Sequence, residues 1–299
     1  MKILITGVAG FIGANLCEFM LNQGYFVVGL DNFSTGHSYN LKDFINHPNF
    51  SFIEADICDF SSCLVASKKI DYVLHQAALG SVPRSIKDPI LSNKINISGF
   101  LNMLEASKQN GIKRFVYAAS SSTYGDSKAL PKVEESIGKP LSPYAITKYV
   151  NELYADIYSS TYGIETIGLR YFNVFGRRQD PKGSYAAVVP KFVSQFLRGE
   201  SPVINGSGSF SRDFTHIENV ILMNYLAITT TKPEAVNQVY NTAVGDRVTI
   251  LEMTELIREG LSEFVPSIAK IEIKFGPNRF GDIPHSQASI LKAKKLLNY

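Results

Sequence analysis

A tyrosine and a lysine four residues apart, Tyr144 and Lys148, stand just inside what the sequence marks as a helix start. Ser142 suits the cap and Pro143 the first helical position. The spacing puts both side chains on one helix face, one turn apart. A free phenol has a pKa of about 10 and is almost wholly neutral at pH 7. A fixed ammonium beside it favours the phenolate and would make Tyr144 a usable base. The pair closes a stretch that opens with SSSTYG at Ser120. Taken alone, such a pair is also what an exposed helix face would carry, so the rest of the chain has to decide.

The first residues supply a second chemical signature. MKILIT, a short apolar run, leads directly into GVAGFIG and then ANLCEFMLNQG, the pattern of strand, glycine turn and helix. Gly7, Gly10 and Gly13 form a GxxGxxG relative of the dinucleotide fingerprint. The first glycine permits a tight turn, the second lets a pyrophosphate approach the backbone, and the third lets helix pack on strand. Phe11 and Ile12 belong to the same phosphate-facing turn. A second apolar run, YFVVGL, ends in Asp31, 18 residues beyond Gly13, where an acidic side chain would meet the adenosine ribose hydroxyls. An aspartate repels a 2′-phosphate and no arginine follows it, so the expected cofactor is NAD rather than NADP. Asn32, Ser34, Thr35 and Gly36 continue that wall. Asp56, with Ile57, ends the third strand where an adenine amino group could be met, and Ala77 and Ala78 end the fourth. Those alanines are small enough for a cofactor to lie against, or are there for tight packing.

These residues need a scaffold, and the chain offers one. Strand-like runs at 2–6, 25–31, 51–54, 71–74, 113–119 and 165–170 alternate with helical patterns near 11–23, 38–46, 59–68, 87–110 and 143–161. Alternation of this kind predicts an α/β fold, a doubly wound parallel sheet of Rossmann type over residues 1–172. Beyond residue 173, Gly, Pro and Ser become frequent and helical patterns remain near 187–198, 216–230, 250–263 and 288–297. Residues 173–299 are expected to form a smaller mixed α/β substrate lobe, with segments returning to the first sheet and the site in the cleft between.

Composition excludes several classes. Thirty basic against 27 acidic residues leave a net charge of +3, with no Lys/Arg run, so no nucleic-acid partner is expected. Three cysteines without metal spacing and five scattered histidines without HExxH argue against a metal site and for a reducing compartment. With no leader-like segment and no apolar run of membrane length, the expectation is a cytoplasmic protein with no membrane partner.

The glycine turn, Asp31, the Ser120 stretch and the Tyr144/Lys148 pair together resemble the extended short-chain dehydrogenases/reductases, and within them the nucleotide-sugar 4-epimerases. The resemblance extends over RYFNVFG, SRDFTHIENV, VYNTA and NRFGDIPHS, and FNVFGRRQDP is similar to bacterial epimerases of N-acetylated UDP-hexoses. It implies a catalytic set of Ser120, Tyr144 and Lys148. Tyr144 would take the 4-hydroxyl proton, Ser120 would share that oxygen, and Lys148 would hold the nicotinamide ribose and keep Tyr144 acidic. The two positions after the serine separate the branches: dehydratases resemble Asp-Glu there and decarboxylases commonly carry a glutamate at the second. Ser121 and Ser122 occupy them here. Expulsion of a hydroxyl needs a proton donor at that place, so reversible oxidation at C4 is the chemistry left.

The resemblance further implies Tyr171, Phe172 and Val174 near the nicotinamide, and Ser81, Ser120, Ser121, Ser122 and Tyr144 about the sugar. Asn173, Arg212 and Arg279 would hold the diphosphate, where guanidinium forms paired hydrogen bonds. Val188, Val189, Val203 and Asn205 would surround the uracil. Ser286, two residues after GDIP, leaves room for a 2-acetamido group where a tyrosine would block it. Arg177 and Arg178 could order a substrate loop or be surface charge. The partners implied are a UDP-sugar and a second copy, as a homodimer through 87–110 and 143–161. A UDP-uronic acid epimerase and a catalytically silent NAD-binding scaffold are the competing readings.

Overall fold

The computed structural model describes residues 1–182, 187–277 and 283–299. Its centre is a seven-stranded sheet. Strands β1 (Lys2–Thr6), β2 (Phe26–Asp31), β3 (Phe50–Glu54), β4 (Tyr72–His75), β5 (Arg114–Ser120) and β6 (Glu165–Tyr171) run parallel. The seventh strand, Gln238–Thr242, adds to the β6 edge, also parallel. From that edge the order continues β6-β5-β4-β1-β2-β3. The chain reverses direction across the sheet between β1 and β4, the switch point at which a doubly wound sheet binds its ligand.

Central strands are apolar on both sides because both faces are covered. Ile3, Leu4 and Ile5 are each 0% exposed. Ile3 and Ile5 face a core closed by helices α1 (Phe11–Asn22), α8 (Ile217–Thr229) and α10 (Leu291–Leu297), whereas Leu4 faces one closed by α2 (Phe60–Ala66), α5 (Phe100–Gln109) and α6 (Pro143–Tyr162). Helix α6 begins as its sequence dictates. Ser142 Oγ accepts the Ala145 N–H at 3.1 Å, Pro143 follows, and Gly163 closes the helix in a left-handed turn at φ 74°.

The chain crosses between lobes more than once. Helix α8, the Gln238–Thr242 strand and α10 all pack in or on the first sheet. The second lobe therefore comes from the chain on either side of them, as short ladders and the helices α7 (Val188–Leu197) and α9 (Ile250–Ser262). These two helices close a small core around Phe192, Ile204 and Met253.

Three differences from the sequence expectations have local causes. Residues 38–46 form a single 3₁₀ turn, Ser38–Asn40, followed by further turns instead of a helix. The Asn40 amide donates to the Ala9 carbonyl at 2.8 Å and the His37 N–H to the same oxygen at 3.0 Å, which bends the segment over the glycine loop. The segment at 87–110 is interrupted: α4 (Pro89–Asn93) passes through a π-turn, Lys94–Gly99, before α5. Gly99 packs there so closely that a Cβ would lie 2.7 Å from Ile57. A short helix α3 (Val82–Lys87), capped by Ser81, precedes it where the sequence suggested none.

Candidate active site

The glycine turn is made by backbone geometry. Gly7 sits at φ 69°, and a Cβ on it would lie 2.8 Å from the Ala77 nitrogen; one on Gly13 would lie 2.1 Å from the Gly7 carbonyl oxygen. Gly10 caps α1 with no side chain, which leaves the helix N-terminus to an anion. Around this turn, at the carboxyl ends of β1 to β4, runs a groove. Gly7, Gly10, Asp31, Asn32, Ser34, Thr35, Gly36, Asp56, Ile57, Ala77 and Ala78 line it, as the sequence placed them together. Leu30, Ala55, Gln76, Leu79 and Ile95 complete the lining and were not singled out. Their signal was available for Gln76, which directly precedes the two alanines, but Ile95 is brought in by the π-turn, which no local pattern announces.

Asp31 shapes the groove itself. Its two carboxylate oxygens accept the Ala9 and Phe33 N–H groups at 2.9 and 2.8 Å and so shape both sides of the groove. Burial pushes its pKa up, against the pull of those N–H donors. Asp56 accepts from the Asn32 amide at 3.1 Å and from the Cys58 N–H at 2.8 Å.

The catalytic candidates meet beside this groove. Ser120 ends β5 and is 8% exposed. The N–H and the hydroxyl of Ser122 both donate to its Oγ, at 3.1 and 2.9 Å. With its lone pairs so engaged, Ser120 has its hydroxyl proton free to donate, and its closeness to Tyr144 draws that phenol's pKa down. Burial is the larger influence and leaves Tyr144 above the usual tyrosine value. The expectation is that Lys148 keeps Tyr144 acidic; burial and Ser120 are what set the direction here. The Lys148 Nζ is 5.9 Å from the Tyr144 ring centre and donates to the Ala118 carbonyl at 2.7 Å. Burial also lowers the Lys148 pKa to about 8, opposed by the negative Glu152. Glu152 in turn is gripped by Arg170 in a two-pronged pair at 2.9 and 2.7 Å. Tyr144 is positioned from its backbone as well, its N–H donating to Ser85 Oγ of α3 at 3.0 Å.

The remaining expected residues fall in different places. Ser81 adopts φ 97° and accepts the Arg84 N–H at 3.3 Å, serving as the α3 cap. Tyr171 donates to Gln76 Oε1 at 3.0 Å and accepts from the Asn224 amide at 2.9 Å; burial pushes its pKa up to about 12. Val174 is half-buried against the core beside α1 and α8. The Phe172 side chain is fully buried among Tyr124, Ala243 and Ala288 in a small core, which leaves only its main chain to face a cofactor. Phe172 directly follows β6 and packs in a different core from Tyr171.

A second groove lies in the other lobe. Asn173, Val188, Val203, Asn205 and Arg212 line it together with Lys191, Phe192, Ile204, Phe210, Phe214 and Ile250. Val189 packs against the lobe's core and is not among the lining residues. Asn173, at φ 33°, donates to the Asp213 carbonyl at 3.1 Å. Arg212 donates to the Ser211 and Pro284 carbonyls at 2.9 and 3.2 Å, and the Ser286 N–H donates to Ser211 at 3.0 Å. Ser286 is thus next to Arg212 in the chain pairing but does not line the groove. Arg279 lies outside the described residues. Asp213, which sequence reasoning passed over, is completely buried and accepts the N–H groups of Val244, Gly245 and Ala288 at 3.0–3.2 Å. Among the described residues no cluster of metal-ligating side chains occurs, and no helix is long and apolar enough to cross a membrane.

A glycine-lined groove at the switch point of a parallel sheet, with Tyr144, Lys148 and Ser120 beside it, defines a dinucleotide-dependent enzyme of the short-chain dehydrogenase type. Residues 3–243 match the model of the NAD dependent epimerase/dehydratase family, and the chain belongs to that family. Its cofactor is NAD, which the glycine turn, the uncapped helix and Asp31 fit. A putative UDP-glucose 4-epimerase from Methanocaldococcus jannaschii is 34% identical over 98% of this chain and 92% of its own length. Among solved structures, UDP-N-acetylglucosamine 4-epimerase from Methanobrevibacter ruminantium, in complex with UDP-N-acetylmuramic acid, is 38% identical with a TM-score of 0.92, covering 100% of this chain and 92% of that one. UDP-glucose 4-epimerase from Thermotoga maritima, with UDP-glucose, is 35% identical with a TM-score of 0.91, covering 100% and 93%.

Proposed function

We propose that the protein is a UDP-hexose 4-epimerase that interconverts UDP-N-acetylglucosamine and UDP-N-acetylgalactosamine, and also accepts UDP-glucose and UDP-galactose. The observation that carries the reaction type is the environment of Ser120. Ser121 and Ser122 follow it in a 3₁₀ turn, and Ser122 spends its donors on Ser120 rather than offering a proton to a leaving group. An acid able to expel water is missing from that turn, which favours epimerisation over dehydration within a family named for both.

In this reading Tyr144 accepts the 4-hydroxyl proton, and Ser120 donates a hydrogen bond to the same oxygen as charge develops on it. Lys148 leaves the Ala118 carbonyl to hold cofactor hydroxyls and supplies the nearby positive charge that the buried phenol lacks. Bound NAD would supply the acceptor for the C4 hydride and its donor back to the other face of the 4-keto sugar, and would add a positive charge to the site. Tyr144 then gives its proton back, so the cycle is balanced and the cofactor is regenerated. Asn173 and Arg212, with Arg279, hold the diphosphate, and the apolar wall of Val188, Phe210 and Phe214 takes the uracil. The lobes follow the division at 172/173, apart from the segments that return to the sheet. A homodimer belongs to the same reading: Ile86, Ile90, Leu91, Ile146, Leu153 and Ile157 are exposed on α3, α4 and α6, Ile90 by 82%. Sedimentation at micromolar concentration checks it.

The decisive experiment is a product assay with UDP-N-acetylglucosamine, UDP-N-acetylgalactosamine, UDP-glucose and UDP-galactose, without added cofactor. The C4 epimers are expected, fastest for the acetylated pair, with no net NADH. A 4-keto-6-deoxy product, or no conversion of any of the four by NAD-loaded protein, overturns the proposal.

A further inference from the structure

The chain that leaves β6 carries Asn173 into the substrate groove and then returns to the cofactor half, where it ends in ion pairs. The Asn15 amide on α1 donates to the Arg177 carbonyl at 3.0 Å. The Arg178 guanidinium reaches both oxygens of Glu18, one turn further along α1, at 3.1 Å each, and Asp43 at 2.8 Å. Its side chain is only 10% exposed and its cationic carbon lies 6.0 Å from the Phe44 ring centre. Arg177 pairs with Glu18 as well, and Asp180 meets His37 at 3.3 Å. Arg178 holds a backbone φ of 67°, a conformation that a side chain disfavours and that its anchored guanidinium explains.

What these contacts grip is informative. His37 and Asp43 belong to the loop after β2, and the opposite face of that loop, at Asn32, Ser34, Thr35 and Gly36, lines the cofactor groove. Glu18 belongs to the helix whose N-terminus faces the same groove. One guanidinium therefore spans the floor and the outer wall of the cofactor site from behind. Apart from the strap, the wall is tied to the glycine loop by Asp31 and by the His37 and Asn40 bonds to Ala9.

We propose that residues 176–180 are a strap that retains NAD, with Arg178 as the positioning residue that fastens it. The loop after β2 must swing outward for the adenosine end of the cofactor to leave, and that swing breaks Arg178–Asp43 and His37–Asp180 together. An enzyme that regenerates its cofactor in every cycle is served by slow release. The proposal rests on bound NAD and is independent of which sugar is turned over.

The test measures release without any sugar. Holoenzyme loaded with NADH is mixed with excess NAD, and the decay of protein-bound NADH fluorescence gives the release rate; the melting temperature of cofactor-free protein is measured alongside. Arg178→Met should release NADH about tenfold faster, the scale of one lost charge-assisted hydrogen bond. Asp43→Asn, an exposed position at the wall end, should accelerate release about threefold with little change in melting temperature. If Arg178→Met does not fold, Asp43→Asn together with Asp180→Asn carries the test. Release within twofold of wild type in every folded variant, whatever the melting temperatures do, overturns the strap and leaves these pairs as a brace.

Discussion

The cofactor groove and the substrate groove are built on opposite principles. The first rests on strands of four to seven residues and is shaped by main chain: a positive-φ glycine, an uncapped helix and carboxylates accepting backbone N–H groups. The second rests on ladders of two or three residues, such as Val174–Phe175 with Thr215–His216 and Val203–Asn205 with Lys274–Gly276. Side chains line it, and its loops hang on a single carboxylate, Asp213. A site made of backbone tolerates many side chains nearby but not one extra carbon at the turn. A site made of side chains can be retuned residue by residue, which suits a common cofactor beside a variable sugar.

The proposed chemistry lies between the two grooves, and the largest effect is expected there. Tyr144→Phe removes the phenol oxygen and keeps the ring, so fold and NAD content should persist while turnover falls by ~10²–10⁴. Steady-state rates with bound cofactor quantified in the same sample check this; a loss below about tenfold would contradict the role. The next effect isolates the backbone-built site. Gly13→Ala places a carbon 2.1 Å from the Gly7 carbonyl oxygen, so the turn must shift. Overpacking of that kind costs roughly 1–3 kcal/mol, and the purified variant should carry little NAD. In the substrate groove a change of two carbons behaves differently: Val203→Ala should raise KM for the UDP-sugar severalfold and leave NAD content unchanged. Retained cofactor in Gly13→Ala, or lost cofactor in Val203→Ala, breaks the comparison.

How much of this was legible in the sequence follows the same division. The six strands of the first half and the helices α1, α2 and α6 emerge within a residue or two because their apolar runs and caps are local signals. The glycine turn and Tyr144/Lys148 are equally local. Long-range closure left less trace. Gln238–Thr242 joins the sheet through pairing with β6, some 70 residues earlier, and its short run reads like any strand of the second lobe. Residues 38–46 carry buried Leu41 and Phe44 at helical spacing, yet bonds to Ala9 fold them into turns. Asp213 looked like one more charge in SRDF because its three N–H donors come from residues 31 to 75 positions away.

A smaller effect tests the buried Lys148. Its pKa near 8 in the fold lies below the ordinary lysine value of 10.5. Between those values the unfolded chain holds the proton and the folded chain does not, so folding stability rises with pH across that window. The slope is at most about 1.4 kcal/mol per pH unit. The thiols Cys17, Cys58 and Cys63, whose folded pKa values burial raises from 9.0, act in the opposite sense from about pH 9, and the buried tyrosines join them above about pH 10. Denaturant titrations of cofactor-free protein at pH 8, 9 and 10 should therefore show the wild type gaining stability relative to Lys148→Met, in which the thiols and tyrosines are unchanged. A difference between wild type and Lys148→Met that is flat or falls from pH 8 to 9 would mean that the lysine keeps its proton in the fold.

The smallest effect is a change of ratio, and it concerns the side-chain-built site. Ser286 is half-buried, and its N–H donates to the Ser211 carbonyl directly before Arg212. Under the proposed reaction the 4-keto sugar must present both faces to one cofactor, so a 2-acetamido arm sweeps through more of the cleft than a hydroxyl does. Ser286→Tyr should lower kcat/KM for UDP-N-acetylglucosamine about tenfold more than for UDP-glucose, within the range a single steric contact supplies. Both substrates keep the diphosphate contacts of Asn173 and Arg212, so uniform binding changes little and the effect stands in the ratio. The position does not line the groove where those residues meet, and the prediction therefore requires that the sugar extend from the groove towards the Ser211–Ser286 pairing. Equal losses on both substrates would assign Ser286 to holding Arg212 in place. No loss on either would put the sugar elsewhere and withdraw the steric argument for the acetylated substrate, while the reaction at C4, which rests on Ser120 and Tyr144, would stand.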